Sequence, residues 1–269
     1  MLASFAEAAA VLNRTDYLEV AKNNARFVLD NLRRDGLLLR TFKDGQAKLN
    51  AYLEDYAFFI DGLVTLFETS GEIAWLEEAV ALTTTMIEEF WDEEEGGFFY
   101  TGRSHETLIV RSKDFFDNAI PAGNSVAAEV LLRIGLLTDN SDYQRRAATI
   151  LSIMATPIQR YPAGFGRLLC ALDFHLGAPK EIAVIGEPDS PQTSSLLAEI
   201  WSTYLPNRVV ALGIPGDEAA AALVPLLRDR KQLENQPTAF VCEHFTCKQP
   251  VTAAAALAAQ LTQKAANTG

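Results

Sequence analysis

Apolar positions recur along the chain with helical spacing, and they do so in pairs of unlike helices. In Leu53–Glu68, the residues Leu53, Tyr56, Ala57, Ile60, Leu63, Val64 and Phe67 follow the i, i+3, i+4, i+7 rule. Phe58, Phe59 and Leu66 form a second stripe on the opposite side, which marks a helix buried on two faces. In Ala74–Phe90 the apolar set is one-sided, and Glu77, Glu78, Thr84 and Glu88 face away. Asn124–Leu137 is again mostly apolar, whereas Asp142–Met154 is amphipathic. Alternation of inner and outer helices predicts a mainly α protein with concentric helical layers, an α/α toroid or part of one.

Three segments repeat this plan: "AEAAAVLNRTDYLEVAKNNARFVL", "VTLFETSGEIAWLEEAVALTTTMI" and "LLRIGLLTDNSDYQRRAATILSIM". Each has an apolar helix, a short polar turn, an aromatic (Tyr17, Trp75, Tyr143) and a second helix, spaced about 60 to 70 residues apart. Between the second and third hairpins, Gly96-Gly97 ends a helix, and Phe98–Thr101 with Thr107–Arg111 read as two short strands. A β-hairpin near 96–112, inserted on one face of a rigid helical scaffold, is where a site is expected.

After Leu176 the pattern changes. "KEIAVIGEP", "NRVVALGIP" and "PTAFVCEH" are strand-like runs separated by helical segments. The reading is therefore α/α hairpins over 1–177 and a small α/β domain with about three parallel strands over 178–269. "VIGEPDSPQTS" puts a glycine after a strand but is no G-x-G-x-x-G fingerprint, so no nucleotide cofactor is expected.

Composition narrows the function classes. A chain of 269 residues can bury roughly three quarters of its unfolded surface. The net charge of -12 argues against nucleic acid or an anionic membrane as partner, because both would repel it. No apolar run approaches the length that spans a bilayer, and the N-terminus, with Glu7 in its apolar stretch, reads as an amphipathic helix. Three cysteines are too few for a disulfide scaffold, which points to a reducing, cytoplasmic setting.

The candidate chemistry gathers in "KDFFDNAIPAGNSVA". Asp114 and Asp117 are three apart beside Phe115 and Phe116. Paired carboxylates suit sugar hydrolysis, and aromatic neighbours can stack on a sugar and raise one carboxyl's pKa by desolvation. The alternative is that these acids cap a helix or tie down the loop. Asp55 shares the stripe of Phe58, Phe59 and Leu66, so it is a third catalytic candidate, or an acid placed at a helix start for the dipole. Glu54 falls instead with Asp61, Thr65 and Glu68 on a polar face. Trp91, Phe98, Phe99, Phe115, Phe116, Asn118 and Asn124 form the candidate substrate-binding set. Asn124 and Ser125 also fit a helix cap, and the aromatics also fit core packing. Glu93–Glu95 read as a solvated acidic turn. His105 and His175 are placed in a turn and at a helix end. Cys242-Glu-His-Phe-Thr-Cys247 could hold a metal or a disulfide, but it lacks the second ligand pair of a zinc site, and strand-end packing is the expected role. No metal is expected.

The motifs "AYLEDYAFFIDGL", "WLEEAVALTTTMIEEFWDEEEGGFF", "IVRSKDFFDNAIPAGNSVAA", "LPNRVVAL" and "TAFVCEHFTCKQPVT" resemble the C-terminal portion of the spermatogenesis-associated protein 20 family. The resemblance covers essentially the whole chain. It implies a thioredoxin-domain-containing family whose remaining chain forms a six-hairpin toroid, of which about three hairpins are present here. A thioredoxin-like domain, the missing half of the ring or a second copy of the chain is then the expected partner. The implied toroid is similar to those of N-acylglucosamine 2-epimerases and several glycosidases, a likeness of fold that carries no reaction. The expectation is a non-catalytic interaction or regulatory module, or alternatively a carbohydrate-binding or carbohydrate-active protein that uses inner-face carboxylates.

Overall fold

The computed structural model describes residues 1–243 and 246–262. Helices α1 (Leu2–Val11), α2 (Thr15–Asn31), α3 (Leu53–Ser70), α4 (Ile73–Phe90), α5 (Gly123–Leu137), α6 (Ser141–Arg160) and α7 (Gly166–Leu176) form two layers. In the inner row α1, α3, α5 and α7 pack side by side, and α2, α4 and α6 back the first three. The protein is mainly α-helical. Burial follows the sequence pattern: α3 and α5 bury most of their residues, whereas α2 buries only Ala21 and Ala25.

Local chemistry sets the helix ends. Tyr52 donates its backbone N–H to Asp55 Oδ2 at 2.9 Å, which opens α3. Gly71, with φ 73°, closes it and donates to the Phe67 carbonyl at 2.8 Å. Asn140 Oδ1 accepts from the N–H groups of Asp142 and Tyr143 and starts α6. Gly62 lets α1 close on α3, since a Cβ there would lie 2.6 Å from Leu2 Cδ2.

A β-hairpin exists, but earlier in the chain than expected. β1 (Arg33–Arg34), β2 (Leu37–Lys43) and β3 (Gln46–Asn50) make a three-stranded antiparallel sheet. The β2–β3 turn places Asp44 and Gly45 at φ 52° and 73°, the left-handed pair that an Asp-Gly turn supplies. The expected hairpin near 96–112 is irregular chain instead, apart from a single bridge between Trp91 and Phe98. Side chains take the place of a partner strand there. Asn124 serves both the N–H and the carbonyl of Phe98, and Arg111 donates to the carbonyls of Thr101 and Glu89.

Strands resume after α7. The second sheet holds β4 (Lys180–Ile185), β5 (Arg208–Gly213), β6 (Thr238–Glu243) and β7 (Thr246–Cys247) in the order β5-β4-β6-β7. Only β4 and β5 are parallel. β6 runs antiparallel to β4, and β7 antiparallel to β6, so the expected three parallel strands are two. Strand alternation splits the side chains between two cores. Ile182, Val184, Val210 and Val241 pack with α8 (Pro191–Ser202) and α10 (Ala254–Thr262), while Ala183, Ile185, Val209 and Phe240 join the core of the helical layers. α9 (Glu218–Leu223) follows β5. The two parts of the chain therefore share one core, with β5 lying against α3 and α5.

Cys242 and Cys247, opposite each other on β6 and β7, form a disulfide. The expectation of plain strand-end packing and reduced thiols thus fails for this pair, because the antiparallel register brings the two sulfurs together. His244, enclosed by the motif, lies outside the described residues. Among the described residues no helix is long and apolar enough to cross a membrane, and no cluster of side chains could hold a metal ion.

Candidate functional site

The predicted carboxylates lie around the N-terminal ends of α3 and α5 in unlike surroundings. Asp55 is engaged by the Tyr52 N–H and by Arg40 at 3.3 Å, while burial pushes its carboxyl up against the pull of both. Asp117 accepts backbone N–H groups from Ala122 at 2.9 Å, Arg167 at 2.8 Å and Leu168 at 3.2 Å, which ties the loop to the start of α7. Asp114 makes only a local turn, accepting from the Phe116 N–H at 3.0 Å. Asp114, Phe116 and Asn118 line a cleft of about 320 Å³ together with Glu54 and Tyr100, whereas Asp55 and Asp117 do not line it. Glu54 pairs there with Arg40 at 3.0 Å. The half-exposed Phe116 ring stacks on Tyr161, their centroids 5.7 Å apart.

The remaining candidates, Trp91, Phe98, Phe99, Phe115 and Asn124, do not line this cleft. Phe98 is fully buried edge-on against Trp91. Phe99 lies beneath Arg111 and Lys113. Gly97, at φ 77°, leaves room for the Phe115 ring, which would lie 2.9 Å from a Cβ. Asn124 is fully buried, and its Nδ2 reaches the carbonyls of Phe98 and Asp114, both at 2.8 Å. In the acidic turn Lys113 pairs with Asp92 at 2.5 Å and Glu95 at 3.5 Å.

A larger site opens on the face of the inner helices that looks away from the outer row. This cavity of about 790 Å³ is lined by α1, by Phe58, Asp61, Thr65 and Glu68 of α3, by Glu129 and Arg133 of α5 and by Arg167 and Phe174 of α7. Residues 201–206, at the end of α8 and beyond it, and Arg208 at the start of β5 close its far side. Arg133 bridges Asp61 at 2.7 Å and Glu68 at 2.8 Å, with Thr65 Oγ1 at 3.3 Å. Arg167 reaches Asp61 at 3.3 Å and forms an ion pair with Glu129 across 2.6 Å that lacks hydrogen-bond geometry. Arg208 stacks on Trp201 at 4.5 Å.

Burial and ion pairing compete at each charged group of this cavity. It pushes the Glu129 carboxyl up, and Arg167 only partly offsets the shift. Burial also works against the Arg133 charge, but Glu68, Asp61 and Glu129 outweigh it and hold the guanidinium above its ordinary value. Arg208 is lowered by burial, against the pull of Glu68. Among the described residues, Glu68 Oε1 and Arg208 Nε are buried at the cavity without a hydrogen-bond partner.

Sequence reasoning placed Asp61, Thr65 and Glu68 on a polar face and passed over Glu129 and Arg133. A signal was present: an acid and a base four residues apart interrupt the apolar run "AAEVLLRIGLL".

No protein-family model matches the chain. The chain is 32% identical to human spermatogenesis-associated protein 20 over 265 residues, which is 94% of this chain and 34% of that protein. It is a homologue of spermatogenesis-associated protein 20. The rat spermatogenesis-associated protein 20 also matches at 32% identity over 94% of the chain. An uncharacterised Caenorhabditis elegans protein matches at 25% identity over 89% of the chain and 33% of its own length. The chain thus spans about a third of the length of these relatives. With 94% of the chain matched to spermatogenesis-associated protein 20, both the helical layers and the second sheet fall within the homologous stretch.

Proposed function

We propose that this chain is a non-catalytic binding module within a larger protein of its family, and that the inner-face cavity receives a polyhydroxylated ligand of the carbohydrate class. The observation that carries this reading is the composition of that cavity. Its acids and arginines neutralise one another in ion pairs, Phe58, Phe174, Trp201 and Tyr204 supply apolar surface, and Glu68 Oε1 and Arg208 Nε lack partners. A sugar offers donors and acceptors from each hydroxyl, so it can meet an unpartnered carboxylate oxygen and an unpartnered guanidinium N–H together, while its apolar face lies on an aromatic ring. The inner and outer helical rows accord with part of a six-hairpin toroid. The expected partners are a thioredoxin-like domain and the remaining hairpins, or a second copy of the chain, in the cytoplasm.

Thermal unfolding against neutral, amino and uronic sugars tests the binding reading. A ligand at ten times its dissociation constant adds about 1.4 kcal/mol, a shift of roughly 3 °C for a chain of this size. One sugar class is expected to give that shift, and Phe58→Ala, at the cavity rim, to abolish it. A flat panel from the folded protein rejects a sugar ligand. A second reading, carbohydrate-active rather than carbohydrate-binding, has its own observation: Asp114 and Glu54 face one cleft beside the exposed ring of Phe116. Asp55 and Asp117 would then hold the cleft's shape rather than react. On this reading Asp114→Asn removes glycoside turnover with little change in melting temperature, because the side chain makes only one local hydrogen bond.

A further inference from the structure

The disulfide sits in unusual company. Arg230 Nη2 lies 3.1 Å from Cys242 Sγ and 3.4 Å from Cys247 Sγ. The guanidinium is fixed from two other sides: its Nε donates to the Leu226 carbonyl, and its plane lies 4.7 Å from the centre of the Phe240 ring. The Glu181 carboxylate pulls the guanidinium toward its charged form, but burial outweighs that pull. A half-buried cation held against two sulfurs gains little from them while they are joined, since a disulfide sulfur is a weak acceptor. Its charge has an effect once one of them becomes a thiolate.

The two sulfurs also differ in access. Cys242 is buried, at 2% exposure, on the inner strand β6, whereas Cys247 is exposed on β7, the edge of the sheet. Both line a cleft of about 370 Å³ between the sheet and helices α5–α7, with apolar walls at Leu132, Leu136 and Phe174. Among the described residues, the titratable groups that share it with Arg230 are Asp139, His175 and Glu181, the last opposite Cys242 on β4.

We propose that Cys242, Cys247 and Arg230 form a thiol–disulfide exchange site that accepts electrons from a dithiol. The thiolate of the dithiol attacks Cys247 Sγ, the exposed sulfur. The new sulfur–sulfur bond forms there, the Cys242–Cys247 bond breaks, and Cys242 leaves as a thiolate beside the Arg230 guanidinium. The second thiol of the dithiol then attacks its own sulfur in the mixed disulfide and releases Cys247. The dithiol is oxidised to a disulfide, and its two protons and two electrons end on Cys242 and Cys247. Arg230 accelerates the first step because a more acidic leaving thiol departs faster.

Reduction of the folded protein by dithiothreitol, followed by alkylation and mass spectrometry in a Cys170→Ser background, tests this. Reduction is expected without denaturant, and Arg230→Gln is expected to slow it at least threefold. Arg230→Lys, which keeps the charge, should retain most of the rate. With glutathione, a monothiol, the mixed disulfide should map to Cys247. A disulfide that yields only after unfolding, an adduct on Cys242, or equal slowing by both Arg230 variants overturns the proposal.

Discussion

Asn124 does with one side chain what a neighbouring strand does with its backbone. Its Oδ1 accepts from the Phe98 N–H at 2.7 Å, and its Nδ2 donates to the carbonyls of Phe98 and Asp114. All of this happens at a fully buried position. Removing the side chain orphans backbone groups that water cannot reach, each at a cost of about 1–3 kcal/mol. Asn124→Ala is expected to lose roughly 3 kcal/mol of stability, read as a lower urea midpoint at unchanged slope; a loss below about 1 kcal/mol would contradict this role. The Gly-Asn-Ser turn was legible as a helix start. That its asparagine reaches back 26 residues to Phe98 was not, because side-chain amides carry no mark of their partner.

At the scale of elements, the segment between α4 and α5 shows how β-prone composition can mislead. Phe98–Thr101 and Thr107–Arg111 are rich in aromatic and β-branched residues and read as strands, yet Asn124 and Arg111 take the hydrogen bonds that a ladder would need. The hairpin that does form, β2–β3, carries an Asp-Gly turn. Asp117 belongs to this scale as well, because it fastens the 114–122 loop to α7 through the N–H groups of Arg167 and Leu168. Asp117→Asn turns an acceptor toward three donors with a group that is itself half donor. The expected result is a loss of roughly 2 kcal/mol and faster proteolysis within residues 114–122, with Asp114→Asn as the unaffected control. Equal melting temperatures for the two variants would contradict the fastening role.

For the molecule as a whole, the decisive feature is the charged cavity shared by α3, α5, α7 and the approach to the second sheet. Burial raises the Glu129 carboxyl, so between its unfolded and folded values the folded state binds this proton more tightly than the unfolded chain. Its favourable contribution is complete below the ordinary glutamate range and is lost as pH rises through the raised value. Glu129→Gln keeps the shape and cannot ionise. The melting temperature of the native protein relative to this variant should therefore fall as pH increases from about 4 upward. A difference that grows with pH would mean that the Arg167 ion pair outweighs burial. The order of helices, their inner and outer character and the change to strands after α7 follow from the spacing of apolar residues, since burial of a periodic stripe is a local property of the chain. The cavity does not follow from it. Asp61, Glu129 and Arg167 are brought together only when three helices pack, and residues 201–208 close over them only when the sheet docks. Charges that read as a solvated face become a buried network because their partners lie far along the chain.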